Sequence, residues 1–220
     1  MKKYLIKTIK ILATIILFVV LLIAYILVFH TYHDFSESSI TMSANIDFSK
    51  NDIDGDGVTN IEDIVYNARD MKGVMYEYLQ GDYNNIGKKL GFLVCIDIPN
   101  IAYKKAGIDF ENLLRKDYKV NKNFYSYENG INTPVTSFFF RRTRNLYSYC
   151  KANNKLIRKY KFPKAGDLIF NKAKTHISMV TEVHDDGTYN EIENAPWTVF
   201  TVEHKNKVWI PKDIGRILNK

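Results

Sequence analysis

Cysteine is scarce in this chain: of its 220 residues only Cys95 and Cys150 carry a thiol. Two cysteines are too few for a disulfide scaffold, although they are enough for one bond in an oxidising compartment. The sequence also lacks a glycine-rich phosphate loop, cysteine and histidine pairs at zinc spacing, and internal repeats. We therefore do not expect nucleotide binding through such a loop, a structural zinc site, a repeat architecture or an organic cofactor.

Acidic residues are absent from the first 30 residues, which carry four lysines, so the formal net charge of +7 is unevenly spread. Residues 31–72 hold nine acids and three bases, and residues 73–220 hold 24 bases and 15 acids. A basic C-terminal part suits an anionic partner such as a cell-wall polymer, a lipid headgroup or a nucleic acid, unless it serves only solubility. Hydrophobic residues at 46% and aromatic residues at 14% are enough for a packed core.

An uncharged run over residues 11–29 follows these lysines. Its length is that of a membrane-spanning helix, for which about 20 apolar residues are needed. The lysines before the run predict a cytoplasmic N-terminus and place the chain from about His30 onward outside the cell. A cleaved signal peptide is the alternative, but no small-residue cleavage site follows the run. We predict a cytoplasmic tip and membrane anchor over residues 1–30 and a polar tether over residues 31–49.

An acidic segment over residues 50–72 follows the tether. Its residues fill positions 1, 3, 5, 6, 7, 9 and 12 of a twelve-residue calcium loop, namely Asp52, Asp54, Asp56, Gly57, the carbonyl of Val58, Asn60 and Asp63. The pattern resembles dockerin and thrombospondin-type calcium loops, with a short aspartate at position 12 where an EF-hand has glutamate. It predicts a structural calcium site of reduced affinity and a helix over residues 61–71. An acidic turn without metal is the alternative.

Cys95 lies where a loop is expected to enter a helix. Apolar residues after it repeat at helical spacing, Gly107 ends the run, and Pro99 is tolerated only in a first helical turn, so the helix begins close to Cys95. A helix N-terminus lowers the pKa of a nearby thiol and offers N–H groups to an oxyanion. Cys95 is therefore the candidate nucleophile, and buried packing is the alternative. Cys150 lacks these features, and we expect it to be structural.

His176 stands at the start of a short alternating stretch that predicts a strand. Residues 185–187 predict a hairpin turn, after which residues 189–194 return as a second strand. A histidine that faces a cysteine, and is oriented by a polar residue on the neighbouring strand, meets the requirement for thiolate–imidazolium catalysis. Glu191 and Glu193 share one face of that strand, so either is a candidate orienter. A strand histidine with a purely structural role is the alternative.

The order of these elements resembles the NlpC-type papain-like cysteine hydrolases. It comprises a cysteine-bearing helix, a Gly-Asp step at residues 166–167, a His-Ile-x-x-Val strand beginning at His176, and a strand ending in a polar residue. The bacterial branch known as domain of unknown function 1287 is more similar, through Cys-Ile-Asp at residues 95–97 and Gly-Ile-Asp at residues 107–109. This resemblance extends over residues 66–217.

The resemblance implies an α+β fold and assigns roles to the candidate site residues. A papain-like hydrolase domain over residues 73–220 would pack a Cys-bearing helix on a small antiparallel sheet, preceded by one transmembrane helix. Cys95 would attack a carbonyl carbon, His176 would relay the proton, and Glu193, or failing it Asn194, would orient the imidazole. The branch has His-Asn where this chain has Glu193-Asn194, but a carboxylate can also orient and stabilise an imidazolium.

These features predict a membrane-anchored, extracellular cysteine peptidase or amidase of bacterial type. Its expected substrate is peptidoglycan or a related cell-envelope peptide, and no nucleic-acid partner is expected. Two alternatives stay open: a catalytically inactive cell-wall binding module of the same fold, and a calcium-dependent surface interaction protein.

Three further expectations concern residues around this constellation. An additional strand is predicted over residues 207–210, and His184 and His204 are expected at the surface. A solvated helix face is the favoured interpretation of a basic cluster, with contact to an acidic substrate as the alternative: Arg141, Arg142 and Arg144.

Overall fold

The computed structural model describes residues 2–32, 47–48, 50–78, 91–126, 128–157 and 161–218. The chain divides after residue 36 into two compact units. The predicted tether, residues 31–49, lies mostly outside the described residues.

The first unit contains one helix, α1 (Lys2–Tyr32). Within it, residues 3–25 form a segment of 23 residues that is long and apolar enough to cross a membrane. Its large apolar side chains are exposed, as Leu12 and Phe18 illustrate with 57% and 67% of their surface accessible. A helix that is apolar on every side needs an apolar surrounding, which either a membrane anchor or a signal sequence would find in lipid.

The second unit is built on one antiparallel sheet of six strands in the order β1-β6-β2-β3-β4-β5. The strands are β1 (Leu156–Ile157), β2 (Leu168–Phe170), β3 (Ile177–Val183), β4 (Thr188–Glu193), β5 (Val202–Val208) and β6 (Asp213–Gly215). The predicted hairpin turn at residues 185–187 joins β3 to β4. The strand predicted over residues 207–210 is misplaced, because β5 begins at Val202 and ends at Val208.

Within the described residues, four α-helices accompany the sheet: α2 (Asn60–Asp70), α3 (Asp97–Lys105), α4 (Phe110–Asn121) and α5 (Thr143–Ala152). Thr59 and Glu62 form a capping box that starts α2, and the carboxylate of Asp109 accepts the N–H groups of residues 111 and 112 at the start of α4. Helices α2 and α3 lie against each other, and both contact β3. The predicted α+β class, with the Cys-bearing helix packed on an antiparallel sheet, is confirmed.

Strand β3 does not show the predicted alternation, because its residues 177–181 are all buried. Successive side chains of a strand point to opposite faces, so both faces of β3 are covered. On one face Val180 packs with Ile169, Tyr189 and Trp209. The strand that follows His176 is therefore the centre of the core, which gives that histidine a rigid support.

Candidate active site

Cys95 lies in a turn that leads into α3, two residues before the first helical residue. The N–H of Asp97 donates to the carbonyl of Val94 at 2.9 Å, and the N–H of Val94 donates back to the Asp97 carboxylate at 3.0 Å. Pro99 is the third residue of α3, the position in the first turn that its missing N–H requires. The Cys95 thiol is partly buried and lies 3.8 Å from the hydroxyl of Thr143.

A buried ion cluster fixes this turn. The Arg141 guanidinium donates to both oxygens of Asp97, at 2.8 and 2.6 Å, and to Glu77 at 2.9 Å. Arg141 is only 1% exposed, so the expectation of a solvated helix face is wrong for this residue. It closes a 3₁₀ turn before α5, where two carboxylates compensate the cost of burying its charge. Asp97 thus supports the start of the cysteine-bearing helix.

His176 precedes β3, and its ring lies between a thiol and a carboxylate. Its Nε2 is in hydrogen-bonding contact with Oε2 of Glu193, which leaves Nδ1 available to Cys95. Burial disfavours the imidazolium, but hydrogen bonds and charge interactions with Cys95 and Glu193 outweigh it and raise the pKa of His176 to about 9. The site therefore favours a charged imidazolium beside the thiol.

Glu193, the last residue of β4, contacts two histidines. Its second oxygen, Oε1, lies 2.9 Å from Nε2 of His204 on β5. Burial opposes the charged carboxylate, yet the hydrogen bonds and charges of His176 and His204 lower the pKa of Glu193 to about 2. Glu191, the other candidate orienter, instead binds Lys207, the Ser178 hydroxyl and the Tyr189 hydroxyl.

Asn194 does not reach the imidazole in the structure. Its amide donates to the carbonyl of Val74 at 3.1 Å and to the hydroxyl of Thr201 at 2.8 Å, and its side chain is fully buried. His204, by contrast, was expected at the surface and lies next to the candidate triad. The pairing of β4 with β5 brings His204 diagonally opposite Glu193, and a correct prediction of that pairing would have located His204 at the site.

A cleft with basic and aromatic side chains surrounds the thiol. A cavity of about 190 Å³ beside Cys95 is lined in part by Tyr76, Arg142, Arg144 and Lys174. The two arginines bind Glu128 and the lysine binds Asp213, so this wall combines opposite charges with a net positive excess. The alternative expected for the basic cluster, contact with an acidic substrate, is compatible with this position for two of its three arginines.

Trp197 contributes an aromatic ring next to the imidazole. Its ring centre is 4.9 Å from that of His176, and 66% of its surface is exposed. The loop that carries it includes Val199 at φ +64, a conformation that β-branched residues rarely adopt. The carbonyl of Val199 accepts the N–H of Tyr76 at 2.7 Å, which ties this loop to the segment that also bridges to Leu93 near the cysteine.

Two other features do not join the candidate active site. Cys150 is fully buried on α5, and burial raises the pKa of its thiol to about 12, as expected for a structural cysteine. A second cavity, of about 140 Å³, lies between residues 48–61 and 164–167, and the described residues that line it include neither cysteine nor histidine.

The acidic loop brings its aspartates together. The carboxylates of Asp52, Asp54 and Asp56 each offer an oxygen within 4.8 Å of the others. Oδ2 of Asp63 is buried without a hydrogen-bond partner, and burial together with repulsion from those three carboxylates raises the pKa of Asp63 to about 6. A backbone turn at Gly57, with φ +93, closes the loop. Three convergent carboxylates, with a fourth that repels them and has one oxygen buried without a partner, fit a hard cation.

One of the predicted ligands, Asn60, makes hydrogen bonds within the loop itself. The Asn60 amide is held inside the loop, where its oxygen accepts the N–H of Ile53 and its nitrogen donates to the carbonyl of Lys50, both at 2.8 Å. Asn60 therefore braces the loop backbone. Val58 is exposed, and its N–H donates to Asp56 at 2.8 Å.

Comparison with known proteins gave one family match and similarity to two solved structures. Residues 66–204 match the family model described as "Domain of unknown function (DUF1287)", which confirms the resemblance drawn from the motifs. The P60 domain of antigen MAP1204 from M. avium subspecies paratuberculosis is similar at 11% identity and a TM-score of 0.41, over 73% of this chain and 96% of that chain. The peptidoglycan hydrolase RipB from Mycobacterium tuberculosis is similar at 14% identity and a TM-score of 0.41, over 73% and 66% of the two chains. No match was found among curated proteins.

Proposed function

The chain belongs to the DUF1287 family, and we propose that its second unit is a cysteine hydrolase that cleaves amide bonds. The observation that carries this proposal is the placement of Cys95 beside an imidazole whose other nitrogen is bound by Glu193. A structural cysteine needs neither a charged histidine nor a buried carboxylate behind that histidine. Thiolate–imidazolium catalysis needs both.

The mechanism follows from the order of these three groups. The Cys95 sulfur attacks the carbonyl carbon, and the charged His176 donates its proton to the leaving amine, so that an acyl-enzyme forms and an amine departs. His176, now neutral, takes a proton from water, whose oxygen attacks the acyl carbon and releases a carboxylic acid and the thiolate. Glu193 stabilises the imidazolium in each half-reaction. N–H groups of the turn at the start of α3 are the candidate donors to the tetrahedral oxyanion.

We propose peptidoglycan or a related cell-envelope peptide as the substrate. The cleft beside Cys95 presents Arg142, Arg144 and Lys174, and Trp197 offers an exposed aromatic face next to His176. Basic side chains favour the carboxylates of a peptide, and an exposed aromatic ring favours the apolar face of a sugar or side chain. Helix α1 supports anchoring of this unit at the outer face of the membrane, with the N-terminus in the cytoplasm.

A structural calcium ion is proposed in the acidic loop. The oxygens of Asp52, Asp54 and Asp56 converge, so these three would be side-chain ligands. Asp63 would be the fourth, because its Oδ2 is buried without a hydrogen-bond partner and its carboxylate is repelled by the other three. The ion would neutralise four mutually repelling carboxylates and so stiffen the loop. That loop packs on the end of α3, since a Cβ built on Gly107 would lie 2.9 Å from Cγ2 of Ile53.

The test of hydrolysis uses the full chain in detergent micelles with purified peptidoglycan, and mass spectrometry of the soluble products. The unaltered protein should release fragments with new amino and carboxyl ends, and Cys95→Ala should release none. Cys150→Ala is the matched control and should keep the activity. Release of the same fragments by Cys95→Ala would refute the mechanism. Binding of the wall by both proteins without any fragments would instead support the inactive binding module.

A further inference from the structure

The carboxylate of Glu193 is shared between two imidazoles that approach it from opposite sides. His176, which precedes β3, binds one oxygen, and Nε2 of His204 on β5 lies 2.9 Å from the other. In the register of β4 and β5, Glu193 faces Val202 and His204 faces Glu191, so Glu193 and His204 are diagonal neighbours on one face of the sheet. Strand β4 thus presents the carboxylate between the two rings.

We propose that His204 is a positioning residue of the active site. By binding Oε1 of Glu193, it holds the carboxylate so that Oε2 faces His176. The inference rests on the proposed function, because it concerns the same triad. His204 contacts the carboxylate, while the thiol contacts His176, so His204 acts through Glu193. It adds a fourth member to a Cys–His–Glu arrangement.

The physical reason lies in the freedom of a glutamate side chain. Glu193 is 8% exposed, so water cannot satisfy the oxygen that points away from His176. A buried carboxylate oxygen without a donor is costly, and the side chain would rotate to find one. The hydrogen bond from His204 satisfies that oxygen and fixes the plane of the carboxylate at the same time.

The other carboxylates near His204 are bound to other residues and do not compete with Glu193 for its ring. Glu191 lies directly opposite His204, but its oxygens bind Lys207, Ser178 and Tyr189. Glu203, adjacent to His204 in the chain, points to the other face, where it binds Arg69, Lys72 and Thr181. Glu193 is therefore the carboxylate that His204 meets.

The experiment measures the rate at which iodoacetamide alkylates Cys95 in the full chain in detergent micelles, between pH 5 and 9, with the adduct located by mass spectrometry. This readout does not depend on knowing the substrate. His204→Ala should slow alkylation at neutral pH about tenfold, as expected for loss of a hydrogen bond to a buried charge, and should displace the profile to higher pH. His204→Gln keeps a donor nitrogen at the same distance from the backbone and should restore most of the rate.

His184→Ala is the matched control. His184 lies in the turn between β3 and β4 and makes a comparable hydrogen bond, from Nε2 to Oδ1 of Asn190 at 3.1 Å, but it does not contact the triad. Its alkylation profile should equal that of the unaltered protein, and thermal unfolding should show that each variant is folded.

Two results would overturn the inference. Equal profiles for His204→Ala and the unaltered protein would show that Glu193 keeps its position without His204. Equal losses in the Ala and Gln variants would show that the hydrogen bond is not what matters. Failure of the proposed function looks different: in that case Cys95 of the unaltered protein would react no faster near neutral pH than a free thiol, and no substitution at position 204 would change the rate.

Discussion

Replacing Glu193 by glutamine tests the electrostatic basis of the site with little change of shape. The structure raises the pKa of His176 from 6.5 to about 9, an increase of about 2.5 units. One unit corresponds to about 1.4 kcal/mol, so the imidazolium is stabilised by roughly 3 kcal/mol relative to water. Cys95 and Glu193 share this stabilisation. Burial opposes the charged ring, so these two partners together contribute more than the net increase, and removing the negative charge of Glu193 should lower the pKa of His176 by about one unit or more.

Two measurements check this expectation. An NMR titration of the His176 ring should give a pKa about one unit lower in Glu193→Gln than in the unaltered protein, and the loss of Cys95 alkylation that accompanies deprotonation of the ring should begin at a pH about one unit lower. Cys150→Ala should leave both values unchanged, because that thiol is buried away from the site. An unchanged His176 titration in Glu193→Gln would refute the role assigned to the carboxylate, whatever happens to the alkylation rate.

The stability of the fold provides a third readout through proton linkage. The pKa of Glu193 is lowered from 4.5 to about 2, so its contribution is present above pH 4.5 and is lost as the pH falls towards 2. The pKa of His176 is raised from 6.5 to about 9, so its contribution is present below pH 6.5 and is lost as the pH rises through 9. The ion pair between Glu193 and His176 contributes to both pKa changes. The difference in unfolding free energy between the unaltered protein and Glu193→Gln should therefore peak between about pH 4.5 and 6.5, and a difference independent of pH would contradict the assignment.

Three further substitutions test the supports of the site. Arg141→Met leaves two buried carboxylates without their partner and should cost about 3–5 kcal/mol in chemical unfolding, whereas a loss below about 1 kcal/mol would contradict the buried ion cluster. Asp63→Asn relieves repulsion in the acidic loop, so it should raise the melting temperature measured with a chelator. It should also reduce the increase in melting temperature that calcium produces. An unchanged increase would argue against Asp63 as a ligand. Gly107→Ala should destabilise the fold by more than Gly187→Ala. Both glycines have φ near +80, but only at Gly107 does the added Cβ meet a neighbour, Cγ2 of Ile53. Equal losses of stability would show that Ile53 moves aside at no cost.

Features with a local cause could be predicted from the sequence. Three predicted features depend on residues a few positions apart: the helix after the acidic loop, the end of α3 next to Gly107, and the hairpin turn at residues 185–187. The position of Pro99 in the first turn of α3 is of the same kind. Such signals place Cys95 and His176 at the starts of their elements without any knowledge of the fold.

Features with a distant cause could not be predicted. Arg141 is followed by two further arginines within three residues, a pattern that is typical of a solvated surface, but its partners Asp97 and Glu77 lie 44 and 64 residues away. The last long strand was expected over residues 207–210, because Val208, Trp209 and Ile210 form the most apolar stretch in that part of the sequence. The strand instead carries polar residues, as an edge strand with an exposed face can, and pairing with β4 selects its position.

The register of the sheet explains why Glu193, and not Asn194, meets the imidazole. Met179 faces Ile192 and Val180 faces Glu191, so the side chains of residues 178, 180, 191 and 193 share one face. His176, one step before β3, has the same parity and falls on that face. Asn194 has the opposite parity, and its amide is directed to Val74 and Thr201. A slip of one residue between β3 and β4 would exchange the two faces and replace the carboxylate by an amide or by Ile192. The buried core on both sides of β3 prevents that slip, and so the packing of the sheet decides which residue supports the charge on His176.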